Sequence, residues 1–305
     1  MKIAIIDKKN ISLKIDTSSI KVDEKSIPFH LIDILLITTK TALNSLDILR
    51  LNQNGISILL LSQNSTNISI ISSAKTKQGE LKLAQYGALS KRLEIAKDIL
   101  LDKVKLHKLH LEKYEIDLNI KLILKKIEKA QNIEELMGIE GSFAKTYFKE
   151  FFSLLPKNMY KNKRSKNPPQ DPANAVLSLF YTLYYNIISI KLLTHGFEPS
   201  IGYLHTPFRE HNALASDLME LFRADINEEV IQIFKENLLS LDDFTKKGGV
   251  YLKYEARSKI WKRFLELEAR LKSKLDKELA NIRAKISKDI LDEVAWLYYL
   301  LWYFR

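Results

Sequence analysis

The chain contains no cysteine at any of its 305 positions. This absence excludes disulfide bonds, thiolate metal sites and a cysteine nucleophile. Glycine and proline are also scarce, with 9 and 7 residues, a composition that favours a helical body with few long loops. A metal ion in this protein must therefore be bound by oxygen and imidazole ligands.

The sequence also has little that resembles a targeting or membrane segment. The N-terminus, MKIAIIDKKN, breaks its apolar run before the ~7–15 residues of a signal-peptide core are reached. The C-terminal run VAWLYYLLWYF falls short of the ~20 residues that cross a bilayer. We therefore expect a cytoplasmic protein that does not bind membranes, with the aromatic C-terminus forming a docked helix.

Positive charge is in excess: 48 Lys and Arg residues face 37 Asp and Glu residues, a net charge of +11. Because 46% of the residues are hydrophobic, the chain can bury a core and is not disordered. A basic folded protein suggests a polyanionic partner, nucleic acid first and an anionic membrane surface second. The alternative is a basic surface that serves only solubility.

The spacing of apolar residues predicts an α+β fold. Short apolar runs separated by polar turns predict strands, and the six runs are KIAIID, ISLKID, SIKVD, DILLITT, ISILLLS and NISIIS. ALNSLDILRLNQNG has helical spacing, so one helix is expected between the fourth and fifth strands, ending at Asn54–Gly55. From about Leu81 the helical spacing continues to the C-terminus. We therefore expect a β-rich domain at 1–72, a linker at 73–82 and a larger all-α domain at 83–305.

One segment, YLHTPFREHNALASDLMELFR (203–223), combines a histidine with two carboxylates. If NALASDLMELFR is helical, Asp217 and Glu220 share one face, where they repel each other unless a cation lies between them. His205 precedes this helix. Imidazole and carboxylates form a ligand set that suits Mn²⁺ or Mg²⁺. The alternative is a surface helix whose charges serve solubility.

Glu140 offers a further carboxylate. It stands between Gly138 and Gly141 in NIEELMGIEGSFAKTYFKEFF, where we expect one helix, beginning at Asn132, to end and another to begin. Neighbours without side chains let a substrate backbone come close. The alternative is an ordinary acidic residue in the first turn of a helix.

A basic loop lies between these two parts of the candidate site. PKNMYKNKRSKNPPQDPAN (156–174) contains Asn and Pro throughout and has no acidic residue before Asp171. Its cations could bind phosphate, or they could form a solvated surface. They are Lys157, Lys161, Lys163, Arg164 and Lys166.

Five blocks occur in an order and at separations that resemble the CRISPR-associated integrase, the catalytic subunit of spacer acquisition. The blocks are GIEGSFAKTYF (138–148), DPANAVLSLFYTLYYNII (171–188), GFEPSIGYLHT (196–206), SDLMELFR (216–223) and GGVYLKYEARSKI (248–260). The resemblance implies that Glu140, His205 and Glu220 bind a Mg²⁺ or Mn²⁺ ion, with Asp217 as a second catalytic acid. It also implies an integrase and endonuclease that joins the 3′-hydroxyl ends of short duplex DNA, the spacers, into a repeat array by transesterification.

The resemblance further implies the surroundings of the site. The expected DNA contacts are Lys149, Lys157, Lys161, Lys163, Arg164, Lys166 and Arg223. The positions expected to hydrogen-bond the ligands or the phosphate are Asn174, Tyr181 and Tyr185, whereas Tyr184 is expected in the core. The segment after His205 is poorer in Gly and Arg than in the family, so Arg209 is not carried over as a DNA contact.

Partners follow from the same resemblance. Double-stranded DNA is expected both as spacer precursor and as CRISPR repeat. The β-rich domain is expected to form a homodimer, and two such dimers are expected to flank a dimer of a small second CRISPR adaptation protein in a heterohexamer. Two other functions use the same features: a metal-dependent nuclease specific for branched DNA in repair, and a non-catalytic basic DNA-binding scaffold that ignores Mn²⁺.

Overall fold

The computed structural model describes residues 2–62, 68–73, 78–161, 163–207 and 211–303, with side chains as far as Ser287. The fold is α+β, as predicted: a β-rich N-terminal region precedes a larger, mostly helical part. The strands are β1 (Ile3–Ile6), β2 (Leu13–Ile15), β3 (Ser19–Val22), β4 (Lys25–Pro28), β5 (Ile34–Ile37), β6 (Ser57–Leu61), β7 (Ile68–Ile71), β8 (Phe244–Lys246) and β9 (Val250–Leu252). The helices are α1 (Ser45–Gln53), α2 (Gly79–Gly87), α3 (Arg92–Glu112), α4 (Lys121–Lys129), α5 (Ile133–Ser153), α6 (Pro172–Thr194), α7 (Ala213–Met219), α8 (Arg223–Lys235) and α9 (Ser258–Tyr303).

The N-terminal strands form two sheets. One sheet has the order β1-β5-β6-β7, in which β1, β5 and β6 are parallel and β7 is antiparallel. The other is the antiparallel sheet β2-β3-β4. All six predicted strands and helix α1 are present, but β4 was not predicted. Its residues are polar or only half-buried, and the strand depends on its pairing with β3 rather than on an apolar pattern.

Local sequence accounts well for helix α1. The side chain of Asn44 accepts a hydrogen bond from the backbone N–H of Asp47, and the carboxylate of Asp47 accepts one from the backbone N–H of Asn44. The two bonds form a capping box. Gly55 follows the helix with φ of 77°, a conformation that glycine adopts readily. The predicted end at Asn54–Gly55 is therefore confirmed.

The four-stranded sheet belongs to two cores at once, because successive side chains of a strand point to opposite faces. Residues that pack against the helical body are Ile34, Leu36, Leu59 and Leu61. Residues that pack toward the three-stranded sheet and α1 are Leu35, Ile37 and Ile58. The predicted boundary near residue 72 therefore separates two kinds of secondary structure. The two parts still share one core, the one between the four-stranded sheet and the helices.

Helix α6 lies at the centre of the helical body and packs against α7, α8 and α9. Asp171 caps its N-terminus, and Pro172 occupies the first turn, where a missing N–H costs nothing. Among the described residues, α6 is long and apolar enough to cross a membrane, and 72% of its most apolar 18-residue window is buried inside the protein. Burial among the other helices explains why α6 is so apolar.

Helix α5 corrects one prediction. A helix break was expected around Glu140, but α5 runs without interruption from Ile133 to Ser153. Each interior glycine costs about 1 kcal/mol of helix stability. The buried face of α5, which includes Phe143 and Tyr147, outweighs that cost, since tertiary packing provides most of the stability of helices in proteins.

The hairpin of β8 and β9 was not predicted either. Its turn contains Gly248, with φ of 70°, a position that strongly favours glycine. A Cβ on Gly249 would lie 2.5 Å from the Cβ of Pro168, so only glycine fits there. The backbone N–H of Val250 donates to the carbonyl of Pro169 at 2.7 Å. The hairpin therefore holds the end of the basic loop.

The predicted linker and C-terminus are described only in part. Helix α2 begins at Gly79, so the last residues of the 73–82 segment are helical, and residues 74–77 lie outside the described part. The aromatic C-terminal run belongs to the end of α9. Its side chains lie beyond Ser287, outside the described residues.

Candidate metal centre and nucleic-acid groove

The segment that carries His205 is fixed by α2 and α3. Gln85 is fully buried, and its amide donates to the carbonyls of Glu198 at 2.8 Å and Ile201 at 3.0 Å. Arg92 donates to the carbonyl of Tyr203 at 2.8 Å. These bonds satisfy a buried backbone that has no secondary structure of its own.

Asp217 of α7 fixes the same segment from the opposite side. Its buried carboxylate accepts backbone hydrogen bonds from Tyr203 at 2.5 Å, Leu204 at 3.1 Å and His205 at 2.8 Å. The Nδ1 atom of His205 lies 2.8 Å from the same carboxylate. Because a carboxylate only accepts, Nδ1 carries the proton and Nε2 keeps a free lone pair. A carboxylate in this position orients a metal-binding imidazole.

A close backbone contact brings this segment onto α7. A Cβ on Gly202 would lie 2.7 Å from the backbone carbon of Ala213. No side chain fits in that space, so glycine is required for the contact. Gly202 thereby lets the backbone next to His205 reach the carboxylate of Asp217.

Glu220 lies at the junction between α7 and α8, with 3% of its side chain exposed. Its Oε1 atom is 3.8 Å from Nε2 of His205, and its Oε2 atom accepts from Nε of Arg223 at 2.8 Å. Burial opposes ionisation of Glu220, but the charges of Arg223 and Lys103 outweigh it and hold the pKa of Glu220 well below its usual value. Glu220 is therefore a carboxylate, the form that binds metal.

Glu140 reaches the site from α5 through a lysine of α3. The ammonium group of Lys103 donates to Oε1 of Glu140 and lies 2.7 Å from Oε2 of Glu220. Only 3% of the Lys103 side chain is exposed, against 22% for Glu140. One buried ammonium group therefore joins the two carboxylates.

The structure thus brings Glu140, His205 and Glu220 into one cluster, and Asp217 lies behind His205. The residues suit Mg²⁺ or Mn²⁺, because carboxylate oxygens and an imidazole nitrogen already fixed by Asp217 form the donor set. Among the residues that the structure describes, no group of three His, Asp or Glu side chains is closed around a common metal position. The place of a cation between Glu140 and Glu220 is taken by the ammonium of Lys103.

A groove of about 730 Å³ adjoins the cluster and is lined by Arg164, Lys166, Arg223, Tyr181 and Tyr185, among other residues. The guanidinium of Arg223 lies 4.7 Å from the ring centre of Tyr181, and that of Arg164 lies 5.5 Å from it. Partial desolvation and the charges of Arg223 and Arg164 lower the pKa of Lys166. Cations that repel one another beside aromatic rings form a surface suited to a polyanion.

The three predicted supporting residues contact the surroundings of the ligands rather than the ligands. Asn174 accepts from Arg164 at 2.8 Å and donates to the carbonyl of Lys163 at 2.9 Å, so it positions the basic loop. Tyr181 donates to Asn227 and carries Arg223 on its ring. The hydroxyl of Tyr185 accepts from the backbone of Asn212 at 2.7 Å. Asn174 therefore contacts the basic loop and not a proposed metal ligand.

The remaining predicted DNA contacts are on the surface. The exposed lysines are Lys149 on α5 and Lys157, Lys161, Lys163 and Lys166 on the loop between α5 and α6. Arg209 lies outside the described residues. Tyr184 is buried and packs on Phe222, as expected for a core residue.

Lys103 is the member of this cluster that the sequence reasoning missed. A signal for it exists: Lys103, His107 and His110 follow one another at helical spacing on the buried face of α3. A lysine on such a face must have anionic partners. His107 has its pKa lowered by burial to about 3, so it is neutral, and its Nδ1 donates to the carbonyl of Lys103 at 2.8 Å.

A buried hydrogen-bond network extends from Tyr181 into the core. Tyr181 donates to Asn227, and Asn227 donates to the hydroxyl of Tyr147 at 2.8 Å. Tyr147 lies 2.9 Å from Nδ1 of His110, whose Nε2 is 3.1 Å from Glu228. The proximity of His110 makes the largest contribution to lowering the pKa of Glu228, which falls to about 2. The network fixes the orientation of the ring beneath Arg223.

Comparison with known proteins agrees with this fold. Residues 3–266 match the family described as CRISPR associated protein Cas1. The chain is 30% identical over 284 residues to CRISPR-associated endonuclease Cas1 1 of Thermodesulfovibrio yellowstonii, covering 86% of this chain and 89% of the relative. Among solved structures, a Cas1 protein from Thermotoga maritima has a TM-score of 0.86 at 23% identity, covering 94% of this chain and 97% of that one. A casposase bound to its integration product has a TM-score of 0.85 at 21% identity, covering 95% and 91%.

The family match places the chain in a class, the CRISPR-associated proteins, and the β-rich N-terminal region followed by a helical part is the fold of the matched Cas1 structure. Within that class, the chain belongs to the Cas1 family of CRISPR-associated endonucleases and integrases. The resemblance seen in the five sequence blocks is therefore confirmed.

Proposed function

We propose that this protein is a divalent-metal-dependent DNA integrase and endonuclease of CRISPR adaptation. The observation that carries the proposal is the convergence of Glu140, His205 and Glu220 on one cluster, beside a groove lined by cations and tyrosines. These three residues would hold Mg²⁺ or Mn²⁺. The bound ion would lower the pKa of an attacking hydroxyl and neutralise charge on the phosphodiester.

The reaction is transesterification. The 3′-oxygen of a short duplex attacks a phosphorus atom of the repeat, a new phosphodiester forms, and the bond to the displaced 3′-oxygen breaks, so ATP is not needed. The residues of the chain bind and orient: Asp217 holds His205, and Arg164, Lys166 and Arg223 position phosphate groups. If water attacks instead of the 3′-hydroxyl, the same site cuts DNA.

Replacing a proposed ligand tests this function. We expect Glu140→Ala and His205→Ala each to abolish Mn²⁺-dependent joining of a labelled duplex to a repeat-bearing plasmid, while DNA binding is retained. The matched control is Glu134→Ala, an exposed acid in the first turn of the same helix, which should join normally. Unchanged joining by either ligand variant would contradict the assignment. Substrates ending in 3′-phosphate separate integration from repair nuclease activity, because only integration requires the 3′-hydroxyl.

Assembly is the second part of the proposal. The region 1–72 would form a homodimer, and two dimers would bind a dimer of a small second adaptation protein and double-stranded DNA. Helix α1 of this region exposes Leu46 and Leu49, with 68% and 55% of their surface accessible, and exposed leucines favour a protein partner. A solved complex described as a partial Cas6-RT-Cas1–Cas2 complex shares the fold with a TM-score of 0.62. Sedimentation equilibrium of the purified chain tests the dimer.

A further inference from the structure

The ammonium group of Lys103 occupies the position between two proposed metal ligands. Its Nζ lies 2.7 Å from Glu220 and also donates to Glu140, and 3% of its side chain is exposed. Lys103 comes from α3, Glu140 from α5, and Glu220 from the junction of α7 and α8. A single positive charge therefore joins three separate parts of the chain.

This arrangement has an electrostatic reason. Two carboxylates that converge without a counter-ion repel each other, and a buried ammonium without anionic partners costs several kcal/mol. An ammonium group donates up to three hydrogen bonds and accepts none, so it satisfies both carboxylates at once. Lys103 thus supplies the neutralising charge that a divalent ion would supply.

We propose that Lys103 is a positioning residue that acts as a resident cation. Its ammonium group holds Glu140 and Glu220 together before a divalent ion binds, and the ion must displace this ammonium group from both carboxylates. The inference rests on the proposed function, since it takes Glu140 and Glu220 as metal ligands. It explains why the carboxylates already converge although no three acidic or histidine side chains are closed around a metal position among the described residues.

The charges of the cluster give the direction of the effect. Three carboxylates, of Glu140, Asp217 and Glu220, are opposed by the fixed cations Lys103 and Arg223. Removing the Lys103 charge leaves the cluster more negative. The protein should then bind a divalent ion more tightly but hold its carboxylates less well without one.

Lys103→Met tests the proposal, because methionine keeps the approximate length and apolar character of the side chain without its charge. Calorimetric titration of the full chain with Mn²⁺, without DNA, should show binding at least about ten-fold tighter than in the wild type. In EDTA, the Tm of the variant should lie below that of the wild type, and Mn²⁺ should raise it by more. If Lys103 were only structural, the Tm would fall but the Kd for Mn²⁺ would stay unchanged, and the proposal would be overturned.

Lys108→Met is the matched control. Lys108 lies on the same helix and also contacts two acids, Glu112 and Asp117, but neither acid belongs to the cluster. Its replacement should leave the Kd for Mn²⁺ at the wild-type value. A tighter Kd in this variant as well would show that any lost lysine charge on α3 has the effect, and would also overturn the proposal.

A second variant covers the case in which Lys103→Met does not fold. Folding of that variant with Mn²⁺ but not in EDTA would support the proposal directly. If it folds in neither condition, Lys103→Arg decides: its guanidinium keeps the charge and can bond both carboxylates, so Mn²⁺ should bind several-fold more weakly than in the wild type. An unchanged Kd in the arginine variant would then reject the inference.

The same titrations separate this inference from the proposed function. If the wild type and Glu140→Ala bind Mn²⁺ equally, the proposed metal site is wrong, whatever Lys103 does. If Mn²⁺ binding depends on Glu140 but not on the charge at residue 103, the metal site stands and only the role of Lys103 is rejected.

Discussion

At the scale of single residues, Gly141 is notable because the fold does not require it. It lies inside helix α5, next to Glu140, in an exposed position. A Cβ built there meets no atom within 4 Å, and the helical backbone suits any L-residue. Glycine nevertheless costs about 1 kcal/mol relative to alanine in a helix interior. A ligand that approaches the helix closely, such as a DNA backbone reaching Glu140, would account for it.

Gly141→Ala therefore should separate stability from activity. We expect the free energy of unfolding to rise by roughly 0.5–1 kcal/mol, while the rate of DNA joining falls about ten-fold or more because the added methyl obstructs the substrate. Urea denaturation and the plasmid joining assay measure the two effects. Gly79→Ala is the control, because that glycine is also exposed and unobstructed but begins helix α2. Wild-type joining by Gly141→Ala would show that the substrate does not use this space.

At the scale of secondary-structure elements, the loop between α5 and α6 determines the positive side of the groove. Asn174 at the start of α6 bonds Arg164, and the β8–β9 hairpin bonds Pro169. The loop is thus held at Arg164 and just beyond Lys166, which places both cations in the groove with Arg223. Preorganised cations lose less entropy on binding an anion than mobile ones do.

The combined replacement Lys161→Gln, Lys163→Gln and Lys166→Gln tests the loop as a phosphate-binding element. We expect weaker DNA binding, with the slope of log K against log salt reduced by roughly 2–3, because each lost phosphate contact removes about 0.9 from it. Fluorescence anisotropy at several NaCl concentrations measures the slope. The same change at Lys14, Lys25 and Lys40, exposed lysines of the β-rich region, should alter it less. Equal slopes for both variants would show that the three loop lysines do not contact DNA phosphates.

Sequence patterns predicted those elements whose signals are local. The strongly apolar strands of the four-stranded sheet and the capped helix α1 were found as expected, since period and capping determine them. Strand β4 and the β8–β9 hairpin escaped because each is short and held mainly by pairing and packing. The Gly248–Gly249 pair was a usable hairpin signal. The expected break at Glu140 was wrong because the buried face of α5 outweighs its glycines.

The residues of the candidate site likewise divide into those with a local sequence signal and those without one. His205, Asp217 and Glu220 lie in one short segment, and the spacing of Asp217 and Glu220 indicated a shared helix face. Glu140 entered mainly through the family resemblance, since spacing alone cannot show which distant residues meet. Lys103 is 37 residues from Glu140 along the chain, and although its buried helix face indicated an anionic partner, nothing local identifies Glu140 and Glu220 as the partners. The partners of a buried charge are decided by tertiary packing, which only the structure shows.

At the scale of the whole molecule, the β-rich region and the helical body are mechanically joined. The four-stranded sheet places one face in the helical core. At the end of β1, the hydroxyl of Tyr254 donates to the carbonyl of Asp7 at 2.8 Å, and Trp261 donates to the Asp7 carboxylate. A pairing surface on the β-rich region would therefore fix the orientation of the catalytic cluster in each copy. This coupling suits the proposed integrase, which would place two DNA ends at a defined separation.

Leu59→Ala tests that coupling. Leu59 lies on β6, is 2% exposed and packs against the helical body, so we expect the free energy of unfolding to fall by roughly 2–5 kcal/mol. If the shared core joins the two parts, calorimetry should show a single transition at a lower Tm, and far-ultraviolet circular dichroism should report the same midpoint. Leu83→Ala on α2, with 69% exposure, should change stability by less than about 0.5 kcal/mol. Two separate transitions in Leu59→Ala, with the helical one unshifted, would show that the β-rich region unfolds independently of the catalytic body.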